Sequence, residues 1–273
     1  MLSIEEIKLL IEKLEKAKDS DFKKIIDDSL TALYSLAESV DYKNQHEIDR
    51  LDKTKDWYAK DIEWRHNSGK SGDYDKLLED KVQSKIGQFN KMGAQSPLYN
   101  SLEIGPGYGR FSRMFLAWRL NYFVDILPVC QGKLEKLFPP AQTKYIKFFT
   151  TDRTACPQIP DNAVNFVFSW DTFPFFTQEH IDEYLKDIHR VLMPGGYGLI
   201  HYCNCEYDFD LGEAKRGYWN YNTKNKMTSL VEKNNYNIIE MDQFRPGANY
   251  VIFQKPGNQN PVLYKALEIP SEK

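Results

Sequence analysis

Three glycines separated by single residues carry the clearest chemical meaning in this sequence. They lie in the segment Ser101-Leu102-Glu103-Ile104-Gly105-Pro106-Gly107-Tyr108-Gly109-Arg110, after an apolar run and before a helical pattern. Glycines in such a loop allow a tight turn and let the backbone approach a ligand where a side chain would collide. The G-x-G-x-G spacing differs from the G-x-G-x-x-G of dinucleotide-binding folds, and Glu103 would repel a pyrophosphate. The loop therefore favours a zwitterionic or cationic ligand.

Two further acidic residues each follow a predicted strand. Asp125 lies 22 positions after Glu103, about where an acidic residue accepts hydrogen bonds from two ribose hydroxyls. An ordinary turn aspartate is the alternative for Asp125. Asp152 follows the next strand and could accept a hydrogen bond from an adenine amino group, with a loop-capping aspartate as the alternative. Together with the glycine loop, these positions indicate a ligand that contains a nucleoside.

These residues lie in the part of the chain where short apolar runs alternate with helical patterns. Such alternation is typical of a parallel sheet that helices cover on both faces. The clearest helix is predicted over Gln178–Leu192. Two late apolar runs separated by Pro246-Gly247 predict an antiparallel hairpin that closes the sheet. The predicted strands are Leu98–Ile104, Tyr122–Ile126, Tyr145–Thr150, Asn165–Ser169, Gly198–Tyr202, Asn237–Phe244 and Asn249–Gln254.

Charge and composition exclude several classes of protein. The chain has 273 residues with 36 Lys plus Arg and 39 Asp plus Glu, which is not the basic excess of a dedicated nucleic-acid binder. No uncharged apolar run reaches the roughly 18 residues of a membrane helix. Charged residues near the start replace the apolar core of a secretion signal, and four irregularly spaced cysteines do not suggest a disulfide framework. We therefore expect a cytoplasmic protein without a nucleic-acid or membrane partner.

A metal site is not expected either. The spacing of His201, Cys203 and Cys205 is too compressed for a standard zinc site, which also needs a fourth ligand.

The glycine loop with Asp125 and Asp152 resembles the class I S-adenosylmethionine-dependent methyltransferase family. The resemblance runs over roughly Pro97 to Lys255. Within it, Pro160–Ser169 is similar to the family's fourth-strand motif, and Val191–Gly198 is similar to its turn into the fifth strand. Asn165 departs from the family, which often has Asp there. The resemblance implies an α/β fold: a Rossmann-like, seven-stranded, doubly wound sheet with a terminal antiparallel hairpin.

The resemblance also implies S-adenosylmethionine as the cofactor and S-adenosylhomocysteine as its product. Glu103 and the glycine loop would lie beside the methionine portion, Asp125 would bind the ribose, and Asp152 would bind the adenine. The predicted cofactor-binding residues are Glu103, Gly105, Pro106, Gly107, Tyr108, Gly109, Asp125, Ile126, Asp152 and Ser169.

Methyl transfer is an in-line displacement in which the protein aligns the acceptor and excludes water. A base is needed only when the acceptor must lose a proton. The carboxyl ends of the strands are where such a group should lie, which points to Asp171 after the fourth strand and His201 at the end of the fifth. We predict these two as catalytic, and the alternative for His201 is an imidazole that is hydrogen-bonded within the sheet.

Three segments are predicted along the chain: a helical N-terminal extension over 1–96, the cofactor-binding domain over 97–255, and a tail over 256–273. The family usually builds its substrate pocket from an N-terminal extension and the insertion after the fifth strand. The resemblance therefore implies that two aromatic clusters, one in the extension and one after the fifth strand, meet over the cofactor, with packing between helices and sheet as the alternative. The extension would serve as a lid. The predicted substrate-binding residues are Trp57, Trp64, His66, Thr172, Tyr202, Tyr207 and Trp219.

The leading hypothesis is methylation of a small molecule, at oxygen or nitrogen. An NAD(P)-dependent oxidoreductase is an alternative, which the glycine spacing, Glu103 and the terminal hairpin disfavour. The second alternative is a cofactor-binding pseudoenzyme that docks a partner protein through its helical extension.

Overall fold

The computed structural model describes residues 73–95, 99–151 and 154–257. Seven strands form one sheet in the order β3-β2-β1-β4-β5-β7-β6. Strands β1 to β5 are parallel, and β7 runs antiparallel to both β5 and β6. The predicted Rossmann-like sheet with an antiparallel hairpin is therefore confirmed. The strands are β1 Asn100–Ile104, β2 Leu120–Asp125, β3 Ile146–Thr150, β4 Val164–Ser169, β5 Leu192–Tyr202, β6 Asn237–Gln243 and β7 Asn249–Gln254.

The helices lie between these strands and before them. The helix predicted over Gln178–Leu192 ends at Val191, and Thr177 caps its start by accepting a hydrogen bond from the His180 backbone N–H at 3.2 Å. A 3₁₀ helix, Ser112–Ala117, follows the glycine loop. No helix in the described ranges is long and apolar enough to cross a membrane. The α-helices are α1 Asp73–Gln95, α2 Pro128–Glu135, α3 Pro140–Thr143, α4 Gln178–Val191, α5 Asp208–Lys215 and α6 Lys224–Lys233.

Helices cover both faces of the sheet. On one face, the apolar side of α4 and residues of α6 share a buried core with β1, β2 and β4. On the other face, Val82 and Ile86 of α1 are fully buried, and the Phe89 ring stacks on Phe166 of β4 at 4.5 Å. Helix α1 thus belongs to the layer of helices that covers this face of the sheet. The rest of the predicted extension, and the tail beyond residue 257, lie outside the described residues.

Asn165, the departure from the methyltransferase pattern, joins β4 to β1. Its side-chain oxygen accepts a hydrogen bond from the Asn100 backbone N–H at 3.1 Å, and the Asn100 amide donates to the Ala163 carbonyl at 2.9 Å. Both asparagines are buried, so these bonds satisfy polar groups that would otherwise be costly in the core. The position is structural, and it lies at the end of the strands remote from the glycine loop.

Candidate cofactor and acceptor site

The glycine loop turns sharply at the carboxyl end of β1. Gly105, Gly107 and Gly109 have φ angles of 70°, 54° and 89°, a left-handed region that glycine enters without steric cost. The Gly105 backbone N–H donates to the Val124 carbonyl at 2.8 Å, which fixes the start of the loop against β2.

Asp125, at the end of β2, holds the middle of this loop. One carboxylate oxygen accepts a hydrogen bond from the Gly107 N–H at 3.0 Å, and the other accepts one from the Leu127 N–H at 2.9 Å. The side chain is buried, and burial raises the pKa of its carboxyl despite these bonds. The carboxylate is therefore fixed in place beside the loop.

Glu103 lies under the same loop and is also buried. The Ser112 hydroxyl donates a hydrogen bond to its carboxylate at 2.6 Å. Burial raises the pKa of Glu103 to about 8; the Ser112 bond opposes the rise, and the charge of Asp125 adds to it. Within the described part of the chain, no Lys or Arg is paired with either carboxylate. The two buried carboxyl groups therefore lack a basic partner among the described residues, and a cationic ligand would favour their charged forms.

Two predicted ligand-binding hydroxyls lie where β1 meets β4. The buried Ser169 hydroxyl donates to the Ile104 carbonyl at 2.8 Å. The Thr172 hydroxyl lies 3.3 Å from the Trp170 carbonyl and 3.5 Å from the Gly105 carbonyl. Both hydroxyls thus contact the backbone around the glycine loop, and their predicted roles in binding ligands stay predictions.

Gly105→Ala is expected to destabilise the fold, because an added Cβ would lie 2.0 Å from the Thr172 hydroxyl oxygen at a φ of +70°. Left-handed backbone and overpacking together should lower the free energy of unfolding by about 2–4 kcal/mol, measured by urea denaturation. Adding Thr172→Ala should recover part of the loss. Gly87→Ala, in α1 with open space around it, is the matched control and should stabilise by up to about 1 kcal/mol. A Gly105→Ala protein as stable as the wild type would contradict this packing.

The two predicted catalytic residues lie in contact. The His201 Nδ1 atom is 3.2 Å from a carboxylate oxygen of Asp171 and accepts a hydrogen bond from the Asp171 N–H at 3.1 Å. The other carboxylate oxygen of Asp171 lies 3.3 Å from the Arg110 guanidinium, which also donates to Glu79 of α1 at 2.6 Å. Asp171 therefore links His201 to Arg110, the residue that follows the glycine loop.

Aromatic rings enclose the His201 imidazole, which is fully buried. The Trp170 ring stacks on it at 4.6 Å, and the Trp219 ring meets it edge-on at 5.9 Å. The Nε2 atom of His201 has no hydrogen-bond partner among the described residues.

The predicted substrate-binding aromatics after β5 divide into two places. Trp219 contacts His201 and, at 6.0 Å, Phe209. Tyr202 and Tyr207 line a separate small polar cavity with residues of β6 and β7. Four predicted site residues lie outside the described residues: Trp57, Trp64, His66 and Asp152. The predicted meeting of the two aromatic clusters therefore stays a prediction.

The remaining predicted cofactor residues surround the loop. Pro106 is buried and Ile126 is half-buried. The Tyr108 ring lies 5.1 Å from the Lys133 ammonium.

The cysteine pair after β5 is buried, with the two sulfurs of Cys203 and Cys205 3.4 Å apart. Burial raises the pKa of the Cys203 thiol well above its usual range. In the ranges the structure describes, no three His, Cys, Asp or Glu side chains are grouped to hold a metal ion.

Sequence reasoning missed four residues of this site. Arg110 directly follows the glycine motif and Trp170 directly precedes Asp171, so adjacency to a motif was a usable signal for both. Ser112 and Asp210 carry no such signal. Ser112 donates to Glu103, and Asp210, buried in α5, interacts electrostatically with His201, so both contacts depend on where the chain folds back.

The family comparison agrees with this geometry. Residues 102–196, from β1 through the start of β5, match the family model of a methyltransferase domain. Residues 102–196 are thus a methyltransferase domain. The resemblance inferred from the motifs is confirmed, S-adenosylmethionine is the cofactor, and the protein is an enzyme of the methyltransferase class.

Solved methyltransferase structures share the fold. Geranyl diphosphate C-methyltransferase from Streptomyces coelicolor A3(2), determined with Mg2+, geranyl diphosphate and S-adenosyl-L-homocysteine, has a TM-score of 0.52 and 8% identity, over 69% of this chain and 87% of that chain. A protein assigned as a sarcosine dimethylglycine methyltransferase, from Galdieria sulphuraria, has a TM-score of 0.52 and 13% identity, over 64% of this chain and 86% of that chain. No curated protein matches the sequence significantly.

Proposed function

We propose that this methyltransferase acts on a small-molecule acceptor, at oxygen or nitrogen. The main support for a cofactor site here is that two buried carboxyl groups, Glu103 and Asp125, have no basic partner among the described residues. A ligand that brings an ammonium or sulfonium charge and ribose hydroxyls would satisfy both carboxylates. A pyrophosphate would instead place its negative charge beside two buried carboxyl groups and oppose their ionisation, which disfavours a dinucleotide.

The residues fit S-adenosylmethionine as follows. Asp125, fixed by the Gly107 and Leu127 N–H groups, would accept hydrogen bonds from the ribose hydroxyls. Glu103 would pair with the ammonium group of the methionine portion. When bound, S-adenosylmethionine supplies a methyl group on a positively charged sulfur, which leaves as a neutral thioether once the acceptor displaces it.

The proposal of a small-molecule acceptor rests on the charge of the chain. The chain has 36 Lys plus Arg against 39 Asp plus Glu. Proteins that bind nucleic-acid substrates usually have a marked excess or a stripe of basic residues.

Isothermal titration calorimetry with S-adenosylmethionine, S-adenosylhomocysteine and NADH tests the proposed cofactor site. We expect both sulfur compounds to bind, with S-adenosylhomocysteine at least about 100-fold tighter than NADH. Binding of NADH alone would contradict the proposal. Multiple-turnover release of S-adenosylhomocysteine would separate an enzyme from a protein that only binds the cofactor.

A further inference from the structure

A small polar cavity lies at the carboxyl end of β5, beside the hairpin of β6 and β7. Its lining includes Tyr202 and Asn204 from the end of β5, and Gln243 and Asn249 from the hairpin. The cavity has a volume of about 50 Å³, whereas about 10–15 Å³ already holds one water molecule. It therefore has room for a group of roughly four non-hydrogen atoms. In open α/β sheets, ligands bind outside the carboxyl ends of the strands.

Two buried asparagines of the lining have side-chain amides whose orientation is fixed by other bonds. The side-chain oxygen of Asn204 accepts hydrogen bonds from the backbone N–H groups of Glu206 at 3.3 Å and Lys224 at 3.0 Å. The side-chain amide of Asn249 donates to the Asp210 carboxylate at 2.6 Å. These bonds leave Nδ2 of Asn204 as a donor and Oδ1 of Asn249 as an acceptor, neither with a hydrogen-bond partner among the described residues.

Two further polar groups of the lining are also unmatched. The Tyr202 side chain is only 2% exposed, and its hydroxyl forms no hydrogen bond within the described part of the chain. The side-chain oxygen of Gln243 is buried and without a partner there. Leaving a buried polar atom unmatched costs about 1–3 kcal/mol, so folded proteins rarely keep such atoms without a ligand or water to meet them.

The charges of the lining favour a neutral ligand. The charged residues of the lining, Lys224 and Asp242, are exposed and of opposite sign. Burial raises the pKa of the Tyr202 hydroxyl, and the nearby Glu206 and Asp210 carboxylates add to the rise. The hydroxyl therefore stays protonated, and the same carboxylates would repel an anion. A cation would leave the amide N–H donor of the lining without an acceptor.

We infer that this cavity binds a vicinal diol, and that the acceptor is a neutral polyhydroxylated molecule such as a sugar or a polyol. This inference rests on the proposed function and names its substrate class. A vicinal diol has four non-hydrogen atoms, and each hydroxyl both donates and accepts hydrogen bonds. Its two hydroxyls can therefore meet the Asn204 donor, the Asn249 and Gln243 acceptors, and the Tyr202 hydroxyl.

Hydrogen bonds connect the wall of this cavity to the cofactor side of the sheet. Asn220, in the same segment between β5 and α6, donates from its backbone and its side chain to the Pro174 and Phe175 carbonyls at 2.7 and 2.8 Å. These two residues closely follow Thr172, whose hydroxyl lies 3.5 Å from the Gly105 carbonyl. An acceptor held in the cavity thus lies at the same edge of the sheet as the glycine loop.

Binding of simple polyols to the full chain provides the first test. Protein labelled with carbon-13 in its tyrosine rings is saturated with S-adenosylhomocysteine, so that the ribose site of the cofactor is filled. It is then titrated with glycerol, D-glucose and myo-inositol, and the Tyr202 and Tyr207 signals are assigned by their loss in Phe variants. We expect both signals to shift with dissociation constants of about 1–10 mM. The signal of Tyr145, an exposed ring before β3, should not move.

Variants of the lining separate binding in the cavity from binding elsewhere. Tyr202→Phe removes one hydroxyl and should weaken polyol binding about 10-fold, followed by the Tyr207 signal. Gln243→Met, at a less buried position, should weaken it similarly and serves if Tyr202→Phe does not fold. Tyr145→Phe is the matched control and should bind as the wild type does. Binding of acetate or methylammonium in place of polyols would overturn the inference, as would polyol binding that neither lining variant weakens, or none up to about 100 mM.

The second test asks which class of molecule is methylated. A metabolite extract is separated by ion exchange into neutral, anionic and cationic fractions, and each is incubated with enzyme and methyl-labelled S-adenosylmethionine. We expect label in the neutral fraction, and its loss when that fraction is first treated with periodate, which cleaves vicinal diols. Label in a charged fraction, or label that resists this treatment, would overturn the inference and leave the proposed function standing. Failure of S-adenosylhomocysteine to bind would instead refute the proposed function.

Discussion

Glu103→Gln is expected to yield a protein that is more stable than the wild type above pH 8 and binds S-adenosylmethionine less tightly. The folded protein raises the pKa of Glu103 from its ordinary 4.5 to about 8, chiefly through burial. The native state therefore holds the proton more tightly than the unfolded state does. The stability that this proton contributes is fully present below pH 4.5 and is lost as the pH rises through about 8.

Glutamine has no proton to lose, so the variant should escape this loss. Its advantage in free energy of unfolding should grow with pH and reach a few kcal/mol, on the order of 3, at about pH 9. Urea denaturation at a series of pH values measures it. Glu135→Gln, which replaces an exposed carboxylate of α2, is the matched control and should show no such gap. Equal stability of Glu103→Gln and wild type at every pH would contradict the conclusion that burial raises the pKa of Glu103.

Cofactor binding should change in the opposite direction. An ammonium group beside Glu103 favours the charged carboxylate, so binding near pH 7 should release up to about one proton in the wild type and none in Glu103→Gln. Calorimetry in buffers of different ionisation enthalpy counts these protons. We expect the variant to bind S-adenosylmethionine about 10-fold or more weakly. If Glu103→Gln bound S-adenosylmethionine as tightly as the wild type does, the proposed contact between Glu103 and the ammonium group would be wrong.

Asp125→Asn should have the largest effect on affinity. The amide replaces one of the two oxygens that accept the Gly107 and Leu127 N–H groups, which leaves one of these donors unsatisfied and removes the charge that would hold the ribose. Two charge-assisted hydrogen bonds of about 1.5–3 kcal/mol each correspond to a loss of roughly 100- to 10,000-fold in S-adenosylhomocysteine affinity. Calorimetry on folded protein, verified by circular dichroism, measures this loss.

Control variants separate ribose binding from loop stability. Glu135→Gln changes the net charge equally and should bind S-adenosylhomocysteine as the wild type does. Adenine alone lacks the ribose, so its weaker binding should be nearly the same in Asp125→Asn and wild type. An equal loss of affinity for S-adenosylhomocysteine and for adenine would show that Asp125→Asn disrupts the glycine loop. It would argue against a specific contact between Asp125 and the ribose.

Local pattern was sufficient to predict much of the fold. The strand after which the glycine loop turns, the helix Gln178–Val191 and the hairpin around Pro246-Gly247 each follow from side-chain periodicity and turn residues in one short segment. Such signals depend only on neighbours along the chain, so they can be recognised without knowing how the rest of the molecule folds. Helix α1 was predicted as helical, but its packing on β4 was not.

The chemistry of the site was predicted only in outline. The sequence marks His201 and Asp171 as residues at strand ends, yet it cannot show that they touch or that Nε2 is left without a partner among the described residues. It places Glu103 before the loop, yet the raised pKa depends on burial. It gives no sign that Arg110 joins Glu79 to Asp171.

By itself, then, the sequence determined a methyltransferase domain, its cofactor and the strand ends where chemistry should occur. The tertiary structure alone decided which carboxylates lack a basic partner among the described residues, which nitrogen of His201 faces Asp171, and which aromatic rings enclose it. The reason is physical. Residue types and short-range spacing fix backbone conformation locally, whereas burial, charge pairing and proton position are set by groups that are far apart in the chain and meet only when it folds.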